Sequence, residues 1–202
     1  MILHKVLESL FGSPAKIRLL RVLLASPQPL SGRQIGELSG LSHRGAILAL
    51  ESLVELGAVR QRRVGKSYQY SMARGNITVE KIIAPCIRAE AELFDGLKRA
   101  ITEQFAKNAV SLALYGSLVR GTEKRGSDID VLAVVRDARM KAILEEKVAS
   151  LVPFFHERFN ALLSLHCFTL REIRGKKTLP LIQSVMKEGV TLSGKPISVL
   201  LK

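Results

Sequence analysis

The sequence predicts an α+β protein of two modules, and three observations lead there. The first seventy-odd residues alternate capped amphipathic helical stretches with one short alternating strand pair. The last hundred carry apolar strands interrupted by a glycine–serine bend and an Asp-x-Asp pair. Between them lies a long helical stretch of balanced charge. A chain of 202 residues has room for two small domains, since domains run from about 50 residues upward.

Composition supports this division. Hydrophobic residues make up 47% of the chain and charged residues 24%, the balance of a protein that buries a core and not that of a disordered tail. The formal net charge is +13, and it is unevenly spread: residues 1–76 hold eleven Lys and Arg against four Asp and Glu, residues 109–202 fifteen against nine, and residues 77–108 five against five. Two basic blocks around a neutral connector each suit a polyanion, either nucleic acid or nucleotide phosphate. No run approaches the roughly 18 apolar residues of a membrane span. Lys5 and Glu8 interrupt what would be the apolar core of a signal peptide, so a cytoplasmic protein with no membrane partner is expected. Cys86 and Cys167 stand alone, without C-x-x-C spacing; neither disulfide nor zinc is indicated, and both read as buried thiols.

In the first block, Ser13 and Pro14 stand where an N-cap and first helical residue belong, with Ile17, Leu20 and Leu24 following at helical spacing until Pro27 and Pro29. Ser31 caps a second helix through Ile35 and Leu38, closed by Gly40. Ser42 caps a third, through Ile47, Leu50, Leu53, Val54 and Leu56, ending at Gly57. Ala58 to Val64 and Ser67 to Met72, joined by Gly65-Lys66, read as a basic hairpin. Three helices and a basic hairpin resemble the winged helix-turn-helix of MarR-like and ArsR-like regulators. The resemblance implies double-stranded DNA as partner: Ser42, His43 and Arg44, with Ala46 beside them, near base edges, and Arg60, Arg62, Arg63 and Lys66 on phosphates. It also makes a homodimer the expected state, because such modules read two-fold sites.

Residues 77–108 predict a helical connector with Ile83, Ile87, Leu93, Leu97, Ile101 and Phe105 on one stripe, kinked or divided at Pro85 and Gly96. Residues 109–202 predict a small α/β domain with a mixed sheet. There an apolar strand runs into Gly116 and Ser117, a helical turn reaches Arg120 and Gly121, and a second strand opens with Asp128 and Asp130. Gly116 lets backbone approach a phosphate, and Ser117 adds a hydroxyl donor at a helix start. Carboxylates two apart on a strand share a face and suit hard divalent ions.

This segment resembles the Gly-Ser-x10-Asp-x-Asp pattern of minimal nucleotidyltransferases of the DNA polymerase beta-like superfamily, with Arg120 and Gly121 matching its bacterial and archaeal members. The resemblance implies Asp128 and Asp130 as catalytic ligands of Mg²⁺ (or Mn²⁺). Gly116 and Ser117 would bind a nucleoside triphosphate, ATP foremost, with Arg120 and Lys124 against its phosphate charge. A nucleoside monophosphate would pass to an acceptor hydroxyl on a small molecule or a protein. The sequence departs from the family on the next strand, where a third carboxylate belongs: Ala161 to Phe168 contains no acid. His166 is its only readily titratable polar side chain, with Ser164 on the same face, and is the candidate third catalytic group. Glu172 is explained instead by a capping box with Thr169. The expected function is a DNA-binding, metal-dependent transferase; the alternative is a transcriptional regulator whose degenerate transferase domain senses nucleotide or holds a dimer together.

Overall fold

The computed structural model describes residues 6–201; Lys5 lies outside the described residues. The chain divides into two compact units, Met1–Glu92 and Leu93–Lys202.

The first unit contains α1 (Val6–Phe11), α2 (Pro14–Ala25), β1 (Leu30–Ser31), α3 (Gly32–Ser39), α4 (His43–Glu55), β2 (Val59–Val64) and β3 (Ser67–Met72). The strands form an antiparallel sheet in the order β1-β3-β2. The caps explain the helix starts. Ser31 accepts from Gln34 N while Gln34 reaches back to the Ser31 N–H, a full capping box, and Ser42 accepts from Gly45 N. Ser13 occupies its cap position without a side-chain bond, leaving Pro14 to start α2. Leu20, Leu23, Ile35, Leu50, Leu53 and Tyr70 share one buried core. α3 includes both Ile35 and Leu38 as expected, with Leu38 65% exposed. The expected place of Ala46 beside base edges fails. Ala46 is fully buried, because it faces inward from α4 and is withheld from any groove.

After a π-helical stretch (Val79–Ile83) comes α5 (Ala84–Phe105), unbroken through Gly96. The wide π turn falls just before Pro85, where an α-helical ladder would lose a donor and meet the ring. The stripe expected along the connector divides between the two cores. Ile83 and Ile87 pack into the first, and Leu97, Ile101 and Phe105 into the second. Leu93 is 69% exposed. Cys86 is exposed, contrary to the expected buried thiol, whereas Cys167 is buried.

The second unit continues with β4 (Ser111–Tyr115), α6 (Ser117–Arg120), β5 (Ile129–Val135), α7 (Ala138–Phe159), β6 (Leu163–Thr169), α8 (Leu170–Arg174), α9 (Pro180–Glu188), β7 (Val190–Gly194) and α10 (Ile197–Leu200). Its sheet is mixed, in the order β6-β5-β4-β7, with β5 and β6 parallel and the other pairs antiparallel. Alternation sorts the strands into two faces. Leu112, Leu114, Ile129, Val131, Ala133 and Leu163 pack with Phe105 of α5 and Leu144 and Phe155 of α7. Ala113, Tyr115, Leu132 and Val134 pack with Ile173, Ile182, Val185 and Ile197 of the later helices. Pro153 is a helix-stop signal in the sequence, yet α7 runs through it to Phe159. An interior proline costs about 3 kcal/mol. Complete burial of Phe155 recovers about 1.5–3 kcal/mol, and the stacking of Phe155 on Phe159 adds to that.

Candidate functional site

The site forms where β4 ends and β5 begins. Gly116 follows β4 with φ 82° and ψ −155°, a region that only glycine occupies readily. Its missing side chain is filled by Asp130: a Cβ built on Gly116 would overlap Asp130 Oδ2 outright and stand 3.1 Å from Asp130 Cγ. The second carboxylate of the Asp-x-Asp pair therefore lies against the glycine–serine bend. Tyr115 and Asp130 are register partners across β4 and β5, so the bend and the carboxylate start from one rung of the ladder.

Asp130 is half-buried and Asp128, one residue before β5, is exposed. Burial first, then the charge of Asp128, holds the Asp130 carboxyl above its ordinary value, while His166 and Arg120 act the other way. The two carboxylates thus sense each other. Neither enters an ion pair among the described residues, so the pair is free to take an external cation. A divalent ion fits this donor set, because it answers both the mutual repulsion and the unpaired charge. Among the described residues no cluster of three or more His, Cys, Asp or Glu side chains is placed to hold a metal.

The remaining residues singled out from the sequence are placed as follows. Ser117 opens α6, which is a single turn of four residues; the expected helix dipole is accordingly small, and the uncapped backbone donors are what remain. Arg120 is bonded through Nη1 to Glu188 Oε1 at the end of α9, and Glu188 also accepts from Ser184 Oγ at 2.8 Å. Lys124 is exposed in the loop before β5, its backbone N donating to Ser127 Oγ at 2.9 Å. His166 is exposed on β6. The residue of β6 in register with Asp130 is Ser164, so a hydroxyl and not an acid stands beside Asp130 on that strand. Glu172 caps α8 through Thr169 and receives Lys141 Nζ at 3.1 Å, and Glu157 belongs to α7, which packs on the opposite sheet face.

Two residues were missed by sequence reasoning. Glu188 gave no signal, being one acid on an amphipathic helix far along the chain. Tyr115 did give one, since it immediately precedes Gly116; but only the antiparallel register reveals that it shares the face of Asp130. Its hydroxyl lies 2.9 Å from His166 Nδ1.

In the first unit, Ser42, His43 and Arg44 are exposed at the start of α4, and Arg60, Arg62, Arg63 and Lys66 are exposed on the β2–β3 hairpin. The strand alternation divides the hairpin cations: Arg60 and Arg62 share one face, while Arg63 lies on the other and donates through Nε to Gly65 O at 3.3 Å.

Among known proteins, residues 95–186 match the family model described as "Nucleotidyltransferase domain". No curated protein matches the chain. A solved toxin–antitoxin with AMP-PNP is 20% identical, covering 54% of this chain and 81% of its own, at a TM-score of 0.38. A mutant MntA–HpeT toxin–antitoxin is 18% identical, covering 54% and 80%, at a TM-score of 0.38. Human N-acetylserotonin methyltransferase with SAM is 16% identical, covering 46% of this chain and 30% of its own, at a TM-score of 0.30. These structural likenesses are distant. The family match spans the bend, both carboxylates and the strand carrying His166, so the second unit is similar to a nucleotidyltransferase domain over these residues.

Proposed function

We propose that the second unit binds a nucleoside triphosphate, ATP foremost, with Mg²⁺ or Mn²⁺, and transfers its nucleoside monophosphate to an acceptor hydroxyl. The acceptor hydroxyl gives up its proton to solvent as its oxygen bonds to the α-phosphorus, the bond to the bridging oxygen breaks, and pyrophosphate leaves with the electron pair. The observation that carries this reading is the seating of Asp130 against Gly116 with neither Asp128 nor Asp130 paired to a cation. Asp128 and Asp130 hold the metal, which when bound neutralises phosphate charge. Gly116 and Ser117 bring backbone donors and a hydroxyl to the phosphates. Arg120 joins them by leaving Glu188, an exchange that costs little because a half-exposed ion pair contributes only about 0–1 kcal/mol. Lys124 adds charge from its loop.

The first unit is proposed to be a winged helix-turn-helix that binds double-stranded DNA as a homodimer, with the start of α4 at base edges and the hairpin cations on phosphates. The alternative, a regulator that senses nucleotide without turnover, is favoured by one observation: Ser164 stands in register with Asp130 where an acid would complete the metal site.

Incubation with α-labelled ATP, GTP, CTP and UTP plus Mg²⁺ or Mn²⁺ separates the two. Transfer of label or release of pyrophosphate, lost in the Asp128→Ala, Asp130→Ala double variant, is the expected result. Metal-dependent binding without turnover establishes the sensor, and absence of both removes the site.

A further inference from the structure

Tyr115 and His166 form a contact that the proposed reaction does not use. Tyr115 is buried, with 7% of its surface exposed, at the end of β4. His166 is on β6, two strands away. Tyr115 Oη reaches His166 Nδ1 at 2.9 Å, and the rings meet edge-on with centroids 6.3 Å apart. The bridge passes over β5 on the face that carries Asp130, between the rungs Asp130–Ser164 and Leu132–His166.

The direction of the hydrogen bond decides what His166 can do. The contact admits either direction according to the imidazole tautomer, but among the described residues Nδ1 is the only partner of the Tyr115 hydroxyl, so accepting would leave the buried O–H unused whereas donating uses it. With Nδ1 accepting, a neutral imidazole carries its hydrogen on Nε2. Nε2 has no partner among the described residues, and the side chain is exposed. An N–H at that nitrogen neither ligates a cation nor takes a proton from an acceptor hydroxyl. It suits an anionic oxygen.

We propose that Tyr115 is a positioning residue that fixes the tautomer of His166, and that His166 serves the site as an Nε2–H donor to a phosphate oxygen of the nucleotide, not as a base or metal ligand replacing the third carboxylate. The second half of this inference rests on the nucleotidyltransferase reading; the first does not.

Two measurements on the full chain test it. In ¹⁵N-histidine-labelled protein above neutral pH, with His166 assigned by its loss in His166→Gln, Nδ1 is expected as an unprotonated, hydrogen-bonded nitrogen whose resonance moves in Tyr115→Phe. A protonated Nδ1, or no movement, overturns the tautomer assignment. In calorimetric titration with MgATP, His166→Ala is expected to bind about tenfold more weakly, the loss of one hydrogen bond to a charged acceptor. His166→Gln, which keeps an N–H near the position of Nε2, should stay within about threefold of wild type. Equal losses in both, or none in either, overturn the donor role while leaving the transferase reading intact, provided wild-type binding is abolished by Asp128→Ala with Asp130→Ala. Absence of wild-type MgATP binding sinks the transferase reading and the donor role together, and the tautomer result still stands or falls on its own spectrum.

Discussion

An alanine at Gly116 must hold φ near 82° and ψ near −155°, and its methyl group overlaps Asp130 Oδ2. The backbone cost in that glycine-only region is about 1–3 kcal/mol. Turning the Asp130 side chain off its rotamer to escape the overlap adds about 0.5–1.5 kcal/mol, so a total loss of about 1.5–4.5 kcal/mol is expected. Gly121 isolates the backbone contribution, since it has φ 64° and ψ 29° with nothing within 4 Å of a built Cβ. Gly121→Ala therefore loses only the left-handed penalty of about 1–2 kcal/mol. Urea denaturation of both variants, followed by near-ultraviolet signals of the tyrosines, gives the difference. MgATP titration gives the functional counterpart, with Gly116→Ala expected to lose binding because Asp130 is displaced. If Gly116→Ala is no less stable than Gly121→Ala, or binds MgATP as wild type does, Asp130 does not depend on the missing side chain and the geometric argument for the site fails.

Other consequences are as specific. Burial and Asp128 hold the Asp130 carboxyl above its ordinary value, so on raising the pH the unfolded chain ionises this group first and stability falls until the folded form ionises too. Asp130→Asn should remove that fall and be the more stable protein near neutrality, while losing metal-dependent nucleotide binding; identical stability changes between about pH 4 and pH 7 in the two proteins would refute this. Thr169→Ala should cost about 1 kcal/mol through loss of the α8 cap, and a loss below about 0.3 kcal/mol on denaturation would show the cap to be idle. Arg62→Ala should weaken double-stranded DNA binding and lower the salt slope by about one unit, with a smaller effect for Arg63→Ala, whose guanidinium already bonds Gly65 O; salt-independent binding would remove the hairpin from the interface.

What could be read before folding was whatever depends on local pattern. The caps at Ser31, Ser42 and Thr169 were legible because a capping side chain and the backbone it bonds are three residues apart. Gly116 with Asp130 was legible because both belong to one strand–turn–strand segment with a fixed spacing. The length of α7 was not legible, because Pro153 is a local stop signal while the burial of Phe155 that outweighs it is tertiary. Arg120 was expected against phosphate charge, and its bond to Glu188, 68 positions away, left no local signal in the sequence. The Tyr115–His166 contact spans 51 positions and three strands, and no periodicity encodes a strand order.

With Ser164, not an acid, in register with Asp130, the balance of charge at the site leans in a definite direction. A hydroxyl in register with Asp130 contributes no negative charge, and His166 held as an N–H donor contributes none either. Two carboxylates, one of them half-buried and raised by its neighbour, form a weaker trap for a free divalent ion than three, because affinity for hard cations grows with ligand charge. The missing charge is then supplied by the nucleotide's own phosphate oxygens. On the proposed reading, Asp128 and Asp130 would hold a divalent ion that neutralises triphosphate charge, while Arg120, Lys124 and the imidazole N–H would face the remaining phosphate charge. An arrangement with fewer acids and more donors therefore favours holding a metal–nucleotide complex, and it leaves deprotonation of the acceptor hydroxyl as the step for which this chain has the least provision.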